Sequence, residues 1–197
     1  MDTEAIARVF ASLDSTIWLV TACAGSRRGG LIATFVNQAS IVASMPRVVI
    51  GLAKQHHTWE LVHANSAFGL HLLGENQIDW VWRFGLRSGR TEDKLAGLRL
   101  EARGNSPLLA DALAWFDCRV EASLDTGDRT LFLGEVSDYR LLSPAPPLTM
   151  KRLLELASPE KLQQLKESLH RDAAVDAVAI RAWRGDTGRV PDRSPAW

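Results

Sequence analysis

The chain carries no net charge, because 23 basic residues balance 23 acidic ones. Nucleic acid and anionic membrane surfaces therefore meet no global attractive field, and neither is an expected partner. Long hydrophobic runs are also missing. No stretch approaches the roughly 18 apolar residues that a membrane span needs. The first 13 residues include Asp2, Glu4 and Arg8 and lack a continuous apolar core, so they read as an amphipathic helix and not as a signal peptide. Cysteine is scarce, with Cys23 and Cys118 each inside an apolar stretch. That usage reads as two reduced core thiols in a cytoplasmic protein, not as a disulfide framework. No metal-type spacing, catalytic carboxylate pair, Gly-rich dinucleotide loop or internal repeat appears, so any chemistry has to come from elsewhere.

What is present is globular. Hydrophobic residues fill 46% and charged residues 23% of 197 positions, enough for one core-bearing domain with an extension. Ile6, Val9, Phe10 and Leu13 recur at helical spacing behind a cap at Asp2 or Thr3, and this helix is expected to pack on something. Strands are expected at 16–24, 31–40 and 48–53, with Gly25, Ser26, Gly29 and Gly30 as the first turn and Met45-Pro46 as the second break. A short helix over 57–64, a strand over 68–73, a helix over 75–86 and a polar loop over 89–94 follow. Trp80 and Trp82 lie two apart on that second helix and cannot share a face, so one is expected at a subunit contact or pocket rim. Ser106-Pro107, a cap followed by a first-turn proline, predicts another short helix through Leu109, Ala112 and Leu113.

The cleanest periodicity comes next. Phe116, Cys118, Val120, Ala122 and Leu124 alternate with Asp117, Arg119, Glu121 and Ser123, and a turn at 125–128 leads into a second strand over 131–142. Pro144, Pro146 and Pro147 stop the sheet, and Ser158 caps a helix starting at Pro159 with a narrow stripe of Leu162, Leu165 and Leu169. The chain thus divides into a β-rich domain over 1–146, a helical extension over 147–185 and a loose tail over 186–197.

Two stretches carry candidate chemistry. In Gly29-Gly30-Leu31-Ile32-Ala33-Thr34-Phe35-Val36-Asn37-Gln38-Ala39-Ser40, small, hydroxyl and amide residues interrupt a β-rich segment, which lets backbone approach a flat ligand. An edge strand with outward polar positions accounts for the same pattern. In Lys54-Gln55-His56-His57-Thr58, directly before a helix, a cation, ring donors, a hydroxyl and free helix-start amides suit an anion. A solvated strand-to-helix turn is the plainer reading.

In order along the chain, residues 18–21 and 30–40, Met45-Pro46, the 54–58 turn, residues 68–73, Phe84, Asp93-Lys94, Pro107 and Gly127-Asp128-Arg129-Thr130-Leu131-Phe132-Leu133-Gly134-Glu135-Val136 resemble the flavin reductase-like family. Gln38-Ala39-Ser40 is particularly similar to flavoredoxin-type members and to reductase modules fused to flavodiiron proteins. The resemblance implies a mainly β fold, the FMN-binding split barrel: an antiparallel Greek-key β-barrel with peripheral helices, here followed by a C-terminal helical extension. It implies a homodimer with FMN near the interface and NAD(P)H as electron donor. By the same resemblance Ile32, Ala33, Thr34 and Phe35 line the flavin ring, while Asn37, Gln38, Ala39, Ser40, Lys54, His56, His57 and Thr58 reach the ribityl chain and phosphate.

Two positions depart from the family pattern. Arg129 stands where a histidine is usual, near the flavin or nicotinamide, and Thr34-Phe35 where asparagine-serine is common. A guanidinium cannot act as general acid, but it can bind phosphate or stabilise negative charge. Arg129 is the candidate catalytic residue on the nicotinamide side. Three functions fit: an NAD(P)H-dependent FMN reductase, a non-enzymatic FMN electron carrier, and a split barrel that binds without flavin.

Overall fold

The computed structural model describes residues 3–186. Seven strands run through its centre: β1 (Trp18–Ala24), β2 (Arg27–Ala33), β3 (Val36–Gln38), β4 (Arg47–Ala53), β5 (Ala67–Leu72), β6 (Ala114–Asp125) and β7 (Arg129–Leu141). They form one sheet in the order β2-β1-β5-β6-β7-β4-β3, with every pairing antiparallel. Setting β4 beside β7 at the far end of the β5-β6-β7 run is a Greek-key arrangement. β2 touches β4 across the opening, so the sheet curls into a half-barrel. Five helices surround it: α1 (Thr3–Ser12), α2 (His57–Asn65), α3 (Ile78–Leu86), α4 (Met150–Leu156) and α5 (Pro159–Asp186).

Two apolar clusters follow from strand alternation. Val20, Ala22, Ile50, Leu52, Phe68, Leu70, Cys118 and Phe132 fill the barrel interior with Leu61 and Val62 of α2. Ile17, Leu19, Val81, Phe84, Leu95, Leu148 and Leu153 fill the layer that carries α3 and α4. β1 is buried on both faces because it feeds both clusters, which explains its unbroken apolar run. Gly30 lets α3 close on β2: a Cβ there would sit 2.9 Å from the Val20 carbonyl oxygen and 3.1 Å from the Phe84 ring. No described helix is long and apolar enough to cross a membrane.

Several sequence expectations change. The strand expected over 31–40 breaks at Thr34 and Phe35, and Gly29 and Gly30 lie inside β2 instead of forming its turn. The break lets Phe35 turn across to β4, where its carbonyl accepts from Gly51 N at 2.9 Å. No helix starts at Ser106-Pro107. Tertiary partners claim that backbone: Thr21 Oγ1 donates to the Pro107 carbonyl, Asn105 N to the Asp117 carboxylate, and Leu109 N to His71 Nε2. The first helix forms, but Val9, Phe10 and Leu13 are exposed and do not pack on the barrel. Helix α4 goes unannounced by the sequence; its Thr149 cap accepts from Arg152 N. The tail expected over 186–197 falls outside the described residues from 187 onward.

Candidate active site

A pocket of about 420 Å³ opens where β2 and β4 end, within the range typical of small-molecule sites. One wall is apolar: Ile32, Ala33 and Phe35 from the β2 end and link, and Val81, Trp82 and Gly85 from α3. Trp82 is thus the tryptophan of the pair that reaches a pocket rim. Leu165 and Leu169 of α5, which packs against α3, also line the pocket. The other end is polar, lined by Gln55, His56, His57 and Thr58 at the start of α2 and by Arg129 at the start of β7.

The polar end follows from local folding. β4 stops at Ala53, and His56 N donates to the Ala53 carbonyl at 3.1 Å, turning the chain into α2. His56 is the N-cap in an extended conformation and makes no side-chain capping bond. The first-turn amides of a helix have no intrahelical acceptor, so this end offers donors and a positive dipole. Burial pushes the His56 imidazole below its ordinary value, which keeps it neutral near pH 7. His57 lies 3.3 Å from Glu60 through Nδ1, and Glu60 also accepts from Arg90 at 2.6 Å.

Arg129 is held from three sides. Its Nε donates to Asp128 at 2.5 Å, its Nη2 to Asp176 of α5 at 2.8 Å, and its guanidinium covers the Phe35 ring at 4.7 Å. Burial raises the Asp176 carboxyl, against the lowering effect of Arg129. Lys94 is 4% exposed and donates to the carbonyls of Phe84 and Arg87, which closes the C-terminal end of α3. Burial pushes its ammonium down to about 8.

The expected site residues thus separate. Ile32, Ala33, Thr34, Phe35, His56, His57, Thr58 and Arg129 all line the pocket. Lys54 does not: its ammonium bonds Asp125 on the β6–β7 turn at 2.7 Å. Asn37, Gln38, Ala39 and Ser40 also lie outside it, on the edge strand β3 and the following turn, where Gln38 Nε2 donates to the Ser40 carbonyl. Sequence reasoning missed Arg87 and Arg90 as lining residues, and Lys94 entered only through the resemblance. It also missed Asp172 and Asp176 of α5. A second, shallower hollow shares His57 and Arg90 and holds Arg27 and Arg28 against Glu60, Glu92 and Asp93. Its charges balance. Among the described residues no His, Cys, Asp and Glu cluster could hold a metal ion.

A curled antiparallel half-barrel with a pocket at the ends of β2 and β4 is the build of a split-barrel domain. The model of the flavin reductase like domain matches residues 10–153, and the chain belongs to that family. It is 32% identical over 152 residues to a high molecular weight rubredoxin of Moorella thermoacetica, covering 76% of this chain and 64% of that protein. It is 30% identical over 152 residues to the ferric-chelate reductase (NAD(P)H) of Archaeoglobus fulgidus, covering 76% of this chain and 86% of that protein. Among solved structures, the styrene monooxygenase flavin reductase of Pseudomonas putida superposes with a TM-score of 0.63 at 26% identity, covering 73% of this chain and 91% of that one. The chain spans less than two thirds of the rubredoxin relative and about a quarter of a diflavin flavoprotein of Nostoc, at 24%.

Proposed function

We propose that the chain is an NAD(P)H-dependent flavin reductase that binds FMN in the pocket between β2, α2, α3 and α5. The observation that carries this reading is the pocket's polarity, apolar along Ile32, Ala33, Phe35 and Gly85 but donor-rich at Gln55, His56, His57 and Thr58. That division suits a planar ring joined to a phosphate. When bound, the flavin supplies the two-electron chemistry, taking hydride at N5 from a nicotinamide, so the protein need supply little acid-base catalysis.

The chain's own residues then have binding and orienting work. Ile32, Ala33, Thr34 and Phe35 hold the ring, and His56, His57 and Thr58 with the α2 amides hold the phosphate. Arg129 borders the nicotinamide side; a guanidinium stays charged at any working pH and favours negative charge without moving a proton. We assign Asn37, Gln38, Ala39 and Ser40 to a homodimer interface near the flavin. The turn after β3 supports a dimer, since Ile41 is 97% exposed and Met45 is exposed beside it. The free thiols of Cys23 and Cys118 suit the cytoplasm. Protein-dependent oxidation of NADH or NADPH with FMN as acceptor tests this reading, and no oxidation with either donor contradicts it.

A second reading rests on the relatives. The rubredoxin of Moorella thermoacetica and the diflavin flavoproteins bear the names of electron-transfer proteins, which favours a non-enzymatic FMN carrier. A carrier retains flavin but does not oxidise nicotinamides.

A further inference from the structure

Helix α5 lies beyond residue 153, where the family match ends, yet it supplies one wall of the pocket. It runs for 28 residues without a fully buried residue among those described. Leu162, Leu165, Ile180 and Trp183 are half-buried, while Leu169, Val175 and Val178 are exposed, so the apolar side chains of the helix are at most partly covered. Its firmest attachments are polar and fall at the pocket's donor-rich end. Gln55 Nε2 donates to Asp176 Oδ1 at 3.1 Å and reaches the Asp172 carbonyl at 3.4 Å. The Asp172 carboxylate faces His56 Nε2 at 3.9 Å, and Asp176 accepts from Arg129. Beyond them Trp183 seats on Gly127, where φ is +96° and a Cβ would come within 2.6 Å of the indole's own Cβ.

Resting on the reading that a flavin phosphate binds at this end, we propose that α5 is an autoinhibitory lid. Asp172 and Asp176 take up Gln55 and His56, groups of the donor-rich end that the phosphate requires. Two carboxylates placed beside the N-terminus of α2 answer its positive dipole as a phosphate would. A dianionic phosphate arriving there meets like charge, so it binds only as the C-terminal half of α5 lifts away. Among its described residues, no fully buried side chain has to be exposed for the helix to lift.

The test uses the full chain carrying Asp172→Asn and Asp176→Asn, with FMN and riboflavin titrated by quenching of flavin fluorescence. The asparagines keep the shape and remove the charge. FMN is expected to bind the variant roughly fivefold to tenfold tighter than the wild type, while riboflavin, which lacks the phosphate, shifts by less than about twofold. Unchanged or weaker FMN binding overturns the lid, as does equal tightening for both flavins. A wild-type chain that binds neither flavin refutes the flavin reading itself, and the lid with it. Hydrogen exchange on the wild type gives a second readout independent of the variant's folding: amides over 170–184 should exchange faster with FMN bound than with riboflavin bound. Equal or slower exchange overturns the proposal.

Discussion

Arg129 stacks on Phe35, with its guanidinium carbon 4.7 Å from the ring centre. One residue opens β7 and the other sits in the link between β2 and β3, so the contact joins distant parts of the chain at the pocket wall. Both are departures from the family pattern, and the fold places them face to face. A planar cation over an aromatic ring is a matched pair that a histidine and a serine could not form.

Replacing Arg129 with alanine should therefore raise the KM for NADH or NADPH about tenfold, equivalent to about 1.4 kcal/mol, with a smaller change in kcat. Arg129→Lys should recover only part of the loss, because an ammonium cannot keep both the stack and the two carboxylate bonds. Steady-state kinetics decides the matter. Unchanged rate and donor affinity would make Arg129 a structural residue only.

Gly30 tests the packing that shapes the pocket. An added methyl would meet the Val20 carbonyl oxygen at 2.9 Å and the Phe84 ring at 3.1 Å, so it would press β1 and α3 away from β2. Gly30→Ala is expected to destabilise the fold by about 2 kcal/mol in urea unfolding. At Gly85 the same methyl would meet Ile32 at an ordinary 3.6 Å, so Gly85→Ala should leave stability unchanged or raise it by up to about 1 kcal/mol.

His71 ties the barrel to the long loop before β6. Leu109 N donates to Nε2 at 2.9 Å, which leaves Nδ1 to donate to the Leu19 carbonyl at 3.1 Å and makes the buried ring neutral. Burial lowers its pKa from 6.5 to about 4. The unfolded chain thus binds the proton first, and stability present above pH 6.5 is lost as the pH falls toward 4, by on the order of 3 kcal/mol. Urea unfolding across that range should show the loss, and His71→Gln should flatten it. A wild-type profile level between those values contradicts the assignment.

Lys94 holds the loop that follows α3. Removing its ammonium leaves the Phe84 and Arg87 carbonyls without their donor, so Lys94→Met should lower stability by about 1–3 kcal/mol and weaken FMN binding. Unfolding and flavin titration of the same preparation separate the two effects. Normal stability and normal flavin affinity together would remove Lys94 from the account.

Alternation along β6 and the glycine-containing turn after it made the long hairpin legible, although the burial departs from a strict period of two: Asp117 is buried and Leu124 exposed, with register shifts at Asp117/Cys118 and Val120/Ala122. The same local logic failed at Ser106-Pro107. There the cap signal was genuine, but His71, Thr21 and Asp117 took the backbone partners a helix would have needed. Within the site, residues 32–35 and 56–58 could be named because chain neighbours stay together at the strand ends. Asp172 and Asp176 could not, since nothing local shows that a helix beginning at Pro159 will cross back over β4 and β7. The placement of Lys54 outside the pocket lining was hidden for a related reason. Its partner Asp125 lies on the β6–β7 turn, which only the pairing of β4 with β7 brings alongside.

The most direct test of the central claim is the visible absorbance of the protein with retained FMN, recorded anaerobically before and after addition of NADH and then NADPH. The account predicts a flavin band that stays with the protein and bleaches with at least one donor. A bound flavin that stays oxidised with both donors would contradict it.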